Sequence, residues 1–247
     1  MLELKNVSAG YGAQDKLHDI SVGFDAGRIY GVVGRNGCGK STLLKTCAGL
    51  LEARGSILLE GRELKRYAPI ERAQLLSYLP QSRTTPGISV RRMVEHGRYP
   101  RLSSPRKLSD ADKTAVETAM ERMKLIHLAG ESVSRLSGGE QQRVYLAMLL
   151  AQDTKYLLLD EPAAHMDIDY RLGLLQLLSQ LKNEGKCIIM VLHDLPDALK
   201  YSDVLVPMED GRVVQAAPPE TVLANGTLER LFHVSIRTSG DEYVIEK

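Results

Sequence analysis

The chain has 247 residues with 32 basic and 31 acidic side chains, so its net charge of +1 gives no global basic field that would indicate a nucleic-acid partner. Hydrophobic residues make up 43% of the chain and charged residues 26%, which excludes a largely disordered protein. Aromatic residues account for only 5% and tryptophan is absent, which disfavours base-stacking platforms. The length predicts one domain with a subdomain, or two small domains.

The apolar runs are too short to cross a bilayer. The longest, residues 144–151, falls well below the ~20 residues that a membrane-spanning helix needs, so we expect any membrane role to be peripheral. The cysteines Cys38, Cys47 and Cys187 form no CxxC pair and are odd in number, which disfavours a disulfide framework. We therefore expect a reducing, cytoplasmic location.

The apolar pattern predicts an α/β fold in which the first strand is alternating, hence antiparallel, and several later ones are nearly all apolar, hence parallel and covered on both faces. From residue 82 to 138 helical or loop-like sequence replaces strands, so we predict a helical subdomain inserted into a core of about residues 1–81 and 139–247, all within one domain. The predicted strands are 2–7, 28–33, 56–60, 76–79, 156–160, 187–192 and 204–208, and the predicted helices outside the insertion include 40–50, 168–184, 196–201 and a capped 227–232.

A glycine-rich stretch follows the strand predicted at 28–33 and matches GxxxxGK[ST]. Its glycines allow backbone N–H groups to turn inward around an anion, and the next helix adds the positive end of its dipole. The alternative is an ordinary glycine-rich turn, which the strand before and the apolar helix after disfavour. We expect the lysine to reach the β- and γ-phosphates of a nucleotide and the serine to bind Mg²⁺. The phosphate-binding residues predicted are Gly34, Arg35, Asn36, Gly37, Cys38, Gly39, Lys40, Ser41 and Thr42.

Two carboxylates, Asp160 and Glu161, end the apolar strand at 156–160, where ligands bind in open α/β sheets. We expect Asp160 to hold Mg²⁺ and Glu161 to orient and deprotonate an attacking water. A strand end followed by a turn at Pro162 is the alternative, and the phosphate loop makes it less favourable.

The segment Leu136-Ser137-Gly138-Gly139-Glu140 precedes the apolar run at 144–151. Ser137 and Glu140 predict a capping box, while the paired glycines leave bare N–H groups where a phosphate could dock. With this segment the chain resembles, over nearly its whole length, the ATP-binding subunit of an ABC transporter. That resemblance implies a RecA-like P-loop NTPase core with a mostly parallel sheet, an N-terminal antiparallel β subdomain and an inserted helical subdomain. It also implies that Leu136 to Glu140 bind the γ-phosphate of ATP held by a second copy, in a head-to-tail homodimer.

The same resemblance assigns single residues. It implies that Tyr11 stacks on adenine, that Gln81 contacts Mg²⁺ and the lytic water, and that His193 contacts the γ-phosphate. Asp167 matches the acidic residue of a loop that links the two sites, although Ala164-His165-Met166 departs from the commoner pattern before it. Glu140 also replaces a common glutamine; neither departure removes a phosphate ligand or the base.

The segment at 90–100 and the tail at 220–234 are similar to those of importers of iron chelates, haem or cobalamin. The resemblance therefore implies an ATPase working with integral membrane permease subunits at the inner face of the cell membrane, and indirectly with a periplasmic or surface substrate-binding protein. A non-transport ABC ATPase, such as one serving iron–sulfur cluster assembly, is the alternative. The locally basic stretch from Arg83 to Lys107 is either a solvated helical face or a docking surface for the membrane partner or anionic headgroups.

Overall fold

The computed structural model describes residues 1–12, 14–82, 84–102, 107–164, 166–239 and 242–246. The strands along these residues are β1 (Leu2–Tyr11), β2 (Gln14–Phe24), β3 (Arg28–Val33), β4 (Ala53–Leu59), β5 (Arg62–Glu63), β6 (Leu76–Leu79), β7 (Tyr156–Asp160), β8 (Cys187–Val191), β9 (Val204–Glu209), β10 (Arg212–Val213), β11 (Ser235–Ser239) and β12 (Glu242–Glu246).

The α-helices are α1 (Lys40–Cys47), α2 (Pro69–Leu75), α3 (Val90–Glu95), α4 (Asp110–Arg122), α5 (Gly138–Gln152), α6 (Ile168–Asn183), α7 (Leu195–Tyr201), α8 (Pro219–Ala224) and α9 (Thr227–Phe232). Short 3₁₀ turns lie at Leu64–Arg66, His96–Arg101, Ile126–Leu128 and Val133–Arg135. The helix α9 has the predicted bounds, but its cap is Gly226, which offers no side-chain hydrogen bond.

The central sheet has the order β10-β9-β3-β8-β7-β6, and its pairings are parallel except for that of β10 with β9. Successive side chains of a strand point to opposite faces. In β3, accordingly, Ile29 and Val33 join one apolar cluster while Tyr30 and Val32 join another. The sheet is therefore covered on both faces, which confirms the prediction from its uninterrupted apolar strands.

A second, antiparallel sheet has the order β2-β1-β4-β5. The alternating β1 pairs antiparallel with both β2 and β4, as predicted. The strand β2 was not predicted, because an irregularity in its pairing with β1 places its buried residues Leu17 and Ile20 three positions apart and breaks the alternation. This sheet and α1 pack on the face of the central sheet opposite α6.

Between β6 and α5 the described residues form helices and no named strand, in agreement with the predicted helical segment. Its core consists of buried residues of α3 and α4 that pack on α5, including Val94, Val116 and Met120. The boundaries of the insertion at 82 and 138 stay a prediction.

Candidate functional site

The loop from β3 to α1 depends on glycines at two crowded positions. Gly39 caps α1 with a φ of 106°, in the left-handed region, and a Cβ atom there would lie 3.0 Å from Leu17 Cδ2. A Cβ atom on Gly34 would lie 2.4 Å from the carbonyl oxygen of Met208. Both positions therefore require glycine, and the loop leads directly into a helix N-terminus whose free N–H groups favour an anion.

Two side chains at the start of α1 are already oriented by polar contacts. The buried Lys40 donates from Nζ to the carbonyl oxygens of Gly34, at 2.7 Å, and Arg35, at 3.1 Å. Ser41 donates from Oγ to Asp160 Oδ1, at 3.1 Å. The phosphate loop thus contacts the carboxyl end of β7, although more than 100 residues separate Ser41 from Asp160 in the sequence.

The two acidic residues at the end of β7, Asp160 and Glu161, have different surroundings. Asp160 is fully buried, and burial raises the pKa of its carboxyl; the hydrogen bond from Ser41 opposes this rise and the charge of Glu161 adds to it. Glu161 lies at a φ of 53°, a strained conformation for a residue with a side chain. Gln81 Nε2 donates to Glu161 Oε1 at 2.7 Å, and His193 Nε2 lies 2.5 Å from the same oxygen. Two predicted site residues from two separate segments, Gln81 and His193, therefore contact the carboxylate of a third, Glu161.

These groups surround one cleft of about 440 Å³, a volume within the range of small-ligand sites. Tyr11 stands at its edge, about half exposed, with Lys45 Nζ 5.6 Å from its ring centroid. Lys16 also lines the cleft and was not predicted. The lining residues are Tyr11, Lys16, Asn36, Gly37, Gly39, Lys40, Ser41, Thr42, Gln81, Glu161 and His193.

Three predicted members of the phosphate loop do not line this cleft. Gly34 contributes its carbonyl to Lys40. Arg35 points elsewhere, with Nη1 3.3 Å from His233 Nε2. Cys38 is buried, and burial raises the pKa of its thiol.

The segment at 136–140 forms the start of α5. Ser137 Oγ accepts from the backbone N–H of Glu140 at 3.4 Å, and Glu140 Oε2 accepts from the backbone N–H of Ser137 at 2.9 Å, so the capping box is confirmed. Leu136 offers its carbonyl to Gln141 Nε2 at 2.9 Å. Hydrogen bonds from Ser137 lower the pKa of Glu140.

A second cavity, of about 230 Å³, lies beside this helix start and shares no lining residue with the nucleotide-sized cleft. Asp167 reaches it as the N-cap of α6, while Gly138 is outside its lining. His165, part of the departure noted before Asp167, lies outside the described residues. The lining residues are Ser137, Gly139, Glu140, Arg143, Met166, Asp167 and Tyr170, of which Arg143, Met166 and Tyr170 were not predicted as site residues.

The oxygen groups near the phosphate loop suit Mg²⁺, which prefers hard oxygen ligands and is commonly held by one or two protein groups together with substrate phosphates. Ser41 Oγ and Asp160 Oδ1 are adjacent, and the amide of Gln81 lies on the same cleft. Across the part of the chain that the structure describes, no group of three His, Cys, Asp or Glu side chains is placed to hold an ion by itself. The donor set therefore fits an ion that arrives with a nucleotide.

A sequence profile of the ABC transporter family matches residues 17–164, more than half of the chain. The chain belongs to the ABC transporter family. It is 38% identical over 231 residues to the ferric enterobactin transport ATP-binding protein of Escherichia coli, covering 92% of this chain and 85% of that protein. It is 39% identical over 222 residues to the hemin import ATP-binding protein of Nocardia farcinica, covering 89% and 76%.

Among solved structures, the ATP-binding subunit of an ABC transporter superposes with a TM-score of 0.83 at 25% identity, covering 94% of this chain and 98% of that one. The α/β architecture is therefore that of an ABC ATPase cassette, and the chain is an ATP-binding subunit that hydrolyses ATP. Among residues 1–12, 14–82, 84–102, 107–164, 166–239 and 242–246, no helix combines the length and apolar character needed to span a membrane.

The basic stretch of this ABC cassette is largely occupied by internal contacts. Arg98 pairs with Asp112 at 2.8 Å, Arg91 pairs with Glu117 at 2.7 Å, and Arg101 donates to the carbonyl of Gln152 at 3.0 Å. Arg91, Arg98 and Arg101 are therefore held by contacts within the described residues, while the choice between a solvated helical face and a docking surface stays open. Arg83 and Arg106 lie outside the described residues.

Proposed function

We propose that the chain is the ATPase of an importer for an iron chelate, haem or a cobalamin-like compound, acting through separate permease subunits at the cytoplasmic face of the membrane. A capture protein outside the membrane would deliver the substrate. The observation that carries this proposal is the extent of the similarity to proteins named for ferric enterobactin transport and hemin import, which covers about nine-tenths of the chain. The substrate itself would be bound by the partners, since the described cleft is built for phosphates.

The proposed binding step uses the loop and its charged neighbours. Lys40 exchanges the carbonyl oxygens of its own loop for the β- and γ-phosphate oxygens of ATP, and residues 34–42 supply backbone donors. Ser41, Asp160 and Gln81 would hold Mg²⁺, which neutralises phosphate charge when bound. Tyr11 stacks on the adenine from the edge of the cleft.

Glu161 is the proposed general base for the lytic water. Gln81 and His193 both contact Oε1, which fixes the carboxylate, and within the described residues Oε2 has no hydrogen-bond partner and can accept the proton of the water. The water oxygen then attacks the γ-phosphorus, and the bond to the β,γ-bridging oxygen breaks to release ADP and phosphate.

Two copies are proposed to close head-to-tail around two nucleotides. The support is that the helix start at Ser137, Gly138 and Gly139 lies outside the cleft that contains Lys40 and Glu161. ATP contacted from both copies favours the closed dimer, since a ligand shifts an equilibrium only by binding one state better. Asp167, beside the same helix start, would link the two sites.

The catalytic part is tested with Glu161→Gln. We expect hydrolysis to fall by about 10²- to 10⁴-fold while MgATP binding persists and a dimer accumulates, as seen by size-exclusion chromatography. Glu121→Gln, an exposed position on α4, is the matched control and should behave as wild type. An unchanged rate in Glu161→Gln would refute the base assignment.

The transport part is tested by purifying the tagged chain from detergent-solubilised membranes of its host. Recovery of a polytopic membrane protein supports the importer, and the identity of that partner indicates the cargo. Recovery of soluble partners alone, with none of the chain at the membrane, would instead support a cluster-assembly ATPase.

A further inference from the structure

The guanidinium of Arg171 bridges two carboxylates on a neighbouring helix. Arg171 lies in the first turn of α6, and its Nη2 is 2.7 Å from Asp194 Oδ2 and 2.5 Å from Asp197 Oδ2. Its Nε also donates to Asp197 Oδ2 at 2.6 Å. A planar guanidinium with several directed donors fixes the relative orientation of such partners in a way that a single point charge does not.

Asp194 has two separate roles in this arrangement. Its Oδ1 accepts the backbone N–H of Asp197 at 3.1 Å and so caps α7, while its Oδ2 meets Arg171. The residue immediately before it is His193, whose Nε2 lies 2.5 Å from Glu161 Oε1. The contact to Arg171 therefore restrains the backbone from which the His193 ring projects.

The other end of Arg171 is tied to the segment that carries Asp167. The backbone N–H of Arg171 donates to the carbonyl oxygen of Asp167 at 2.9 Å, within the first turn of α6. Arg171 also lines a cavity of about 340 Å³ together with Glu161, Met166 and His193. One side chain thus connects the start of α6 to the segment that orients His193.

The two ion pairs of Arg171 differ in exposure, and the more exposed pair is the one with Asp194, the neighbour of His193. The side chains of Arg171 and Asp194 are 28% and 41% exposed, and an exposed ion pair contributes little to the free energy of unfolding. Asp197 is only 14% exposed, so its pair with Arg171 contributes more to that free energy. Solvent exposure weakens the energy of an ion pair more than its effect on orientation. The three donor contacts of Arg171 still restrain the direction of α7 relative to α6.

We propose that Arg171 is a positioning residue for hydrolysis, which holds His193 against Glu161 by clamping Asp194 and Asp197 to the first turn of α6. This inference rests on the proposed role of Glu161 as the base. Arg171 does not line the cleft that contains Lys40 and Ser41, so it acts on the hydrolytic step and not on the binding of ATP.

The test is steady-state MgATP hydrolysis by the full chain carrying Arg171→Met, which keeps an unbranched apolar stem and removes the charge and the donors. We expect kcat to fall by about 10- to 100-fold because a small misplacement of a catalytic group is enough for such a loss. The KM for ATP should stay within about twofold of wild type, the pattern of a lost transition-state interaction. Arg122→Met, which removes an ion pair to Glu184 far from the cleft, is the matched control and should keep wild-type kcat.

Two further variants separate positioning from folding. Arg171→Lys keeps the charge but not the planar fork, so it should recover only part of kcat, and it serves as the test if Arg171→Met does not fold. In a His193→Ala background, measured by single-turnover hydrolysis, Arg171→Met should cause no further loss, since its effect passes through His193. An equal loss in both backgrounds, or a wild-type kcat in Arg171→Met, would overturn the inference. If Glu161→Gln were as active as wild type, the proposed function itself would fail instead.

Discussion

The buried ion pair between Arg98 and Asp112 allows a test of what stabilises the helical segment. Asp112 in α4 accepts from Arg98 at 2.8 Å through Oδ1 and from the backbone N–H of Ser109 at 3.0 Å through Oδ2. Arg98 also donates to the carbonyl of Ala151 at the end of α5. The pair therefore joins the 3₁₀ turn after α3 to both α4 and α5. The perturbation is Asp112→Ala.

The expected loss follows from these contacts. The side chains of Arg98 and Asp112 are only 11% and 12% exposed, so removing one partner leaves a buried charge and costs about 3 kcal/mol, the lower end for such pairs because Arg98 keeps Ala151. Loss of the reciprocal cap bond to Ser109 adds about 1 kcal/mol. We therefore expect the free energy of unfolding to fall by about 3 to 4 kcal/mol at pH 7.

The pH dependence has a defined sign. Hydrogen bonds from Ser109 and the charge of Arg98 hold the pKa of Asp112 below its ordinary value of 3.8, against the effect of burial. A lowered folded-state pKa gives stability that is present above the unfolded pKa and is lost as the pH falls through the folded one. The difference between wild type and Asp112→Ala should therefore narrow below pH of about 4.

Urea unfolding of both proteins at pH 7, and at the lowest pH at which wild type remains folded, measures this difference. Asp110→Ala removes an exposed partner of Lys113 on the same helix and should have a much smaller effect. A loss in Asp112→Ala below about 1 kcal/mol, the size of an exposed pair, or one that is independent of pH, would refute the reasoning.

Two further predictions concern the nucleotide cleft. Burial raises the pKa of Asp160, so its ionised form destabilises the nucleotide-free protein increasingly as the pH rises from the unfolded-state pKa of 3.8 through the folded-state pKa. Asp160→Asn should therefore raise the Tm at pH 7, raise it less towards pH 4, and abolish MgATP hydrolysis. A lower Tm in this variant at pH 7 would contradict the reasoning. Tyr11→Ala should raise the Kd for ATP by roughly 5- to 150-fold, from the 1–3 kcal/mol of a base–aromatic stack, whereas Tyr11→Phe should keep the Kd within about threefold. Titration calorimetry in the Glu161→Gln background measures both Kd values, and wild-type affinity in Tyr11→Ala would disprove stacking.

The sequence predicted best those strands whose residues are buried on both faces of the sheet. The strands at 28–33, 76–79 and 156–160 have the predicted bounds because both faces of the central sheet are covered, so their buried residues are mainly apolar. The helix predicted at 40–50 ends instead at Cys47, since Gly49 adopts a φ of 66° and its N–H turns back to Thr46. The hairpin of β11 and β12 was not predicted, because its strands are short and their apolar residues Ile236, Tyr243 and Ile245 are only partly buried against the core.

The residues of the candidate site also differ in how far the local sequence alone could predict them. The prediction for residues 34–42 came from a contiguous motif that carries its own chemistry, and all but Gly34, Arg35 and Cys38 line the cleft. The predictions for Tyr11, Gln81 and His193 required a family resemblance, since each is an ordinary residue in its local sequence. Lys16 carries no local signal at all. It lines the cleft because β2 packs its backbone against Gly39 and Gly211, an arrangement that only the assembled sheets create.

The charges of the site explain why ATP could control the conformation of this protein. Lys40 and Asp160 are both buried. Lys40 donates to carbonyl oxygens of its own loop, Asp160 accepts a hydrogen bond from the Ser41 hydroxyl, and Glu161 has a strained backbone conformation. Each feature makes the nucleotide-free fold less stable than an apolar alternative would be. Phosphate at Lys40 and a divalent cation at Asp160 would offset this loss of stability. The free energy of binding would therefore come mainly from the residues whose charges are poorly compensated in the free protein. The residues that lower the stability of the free protein are therefore the ones through which a bound nucleotide would shift its conformational equilibrium. For this reason a substitution at Asp160 that stabilises the fold should also abolish ATP hydrolysis.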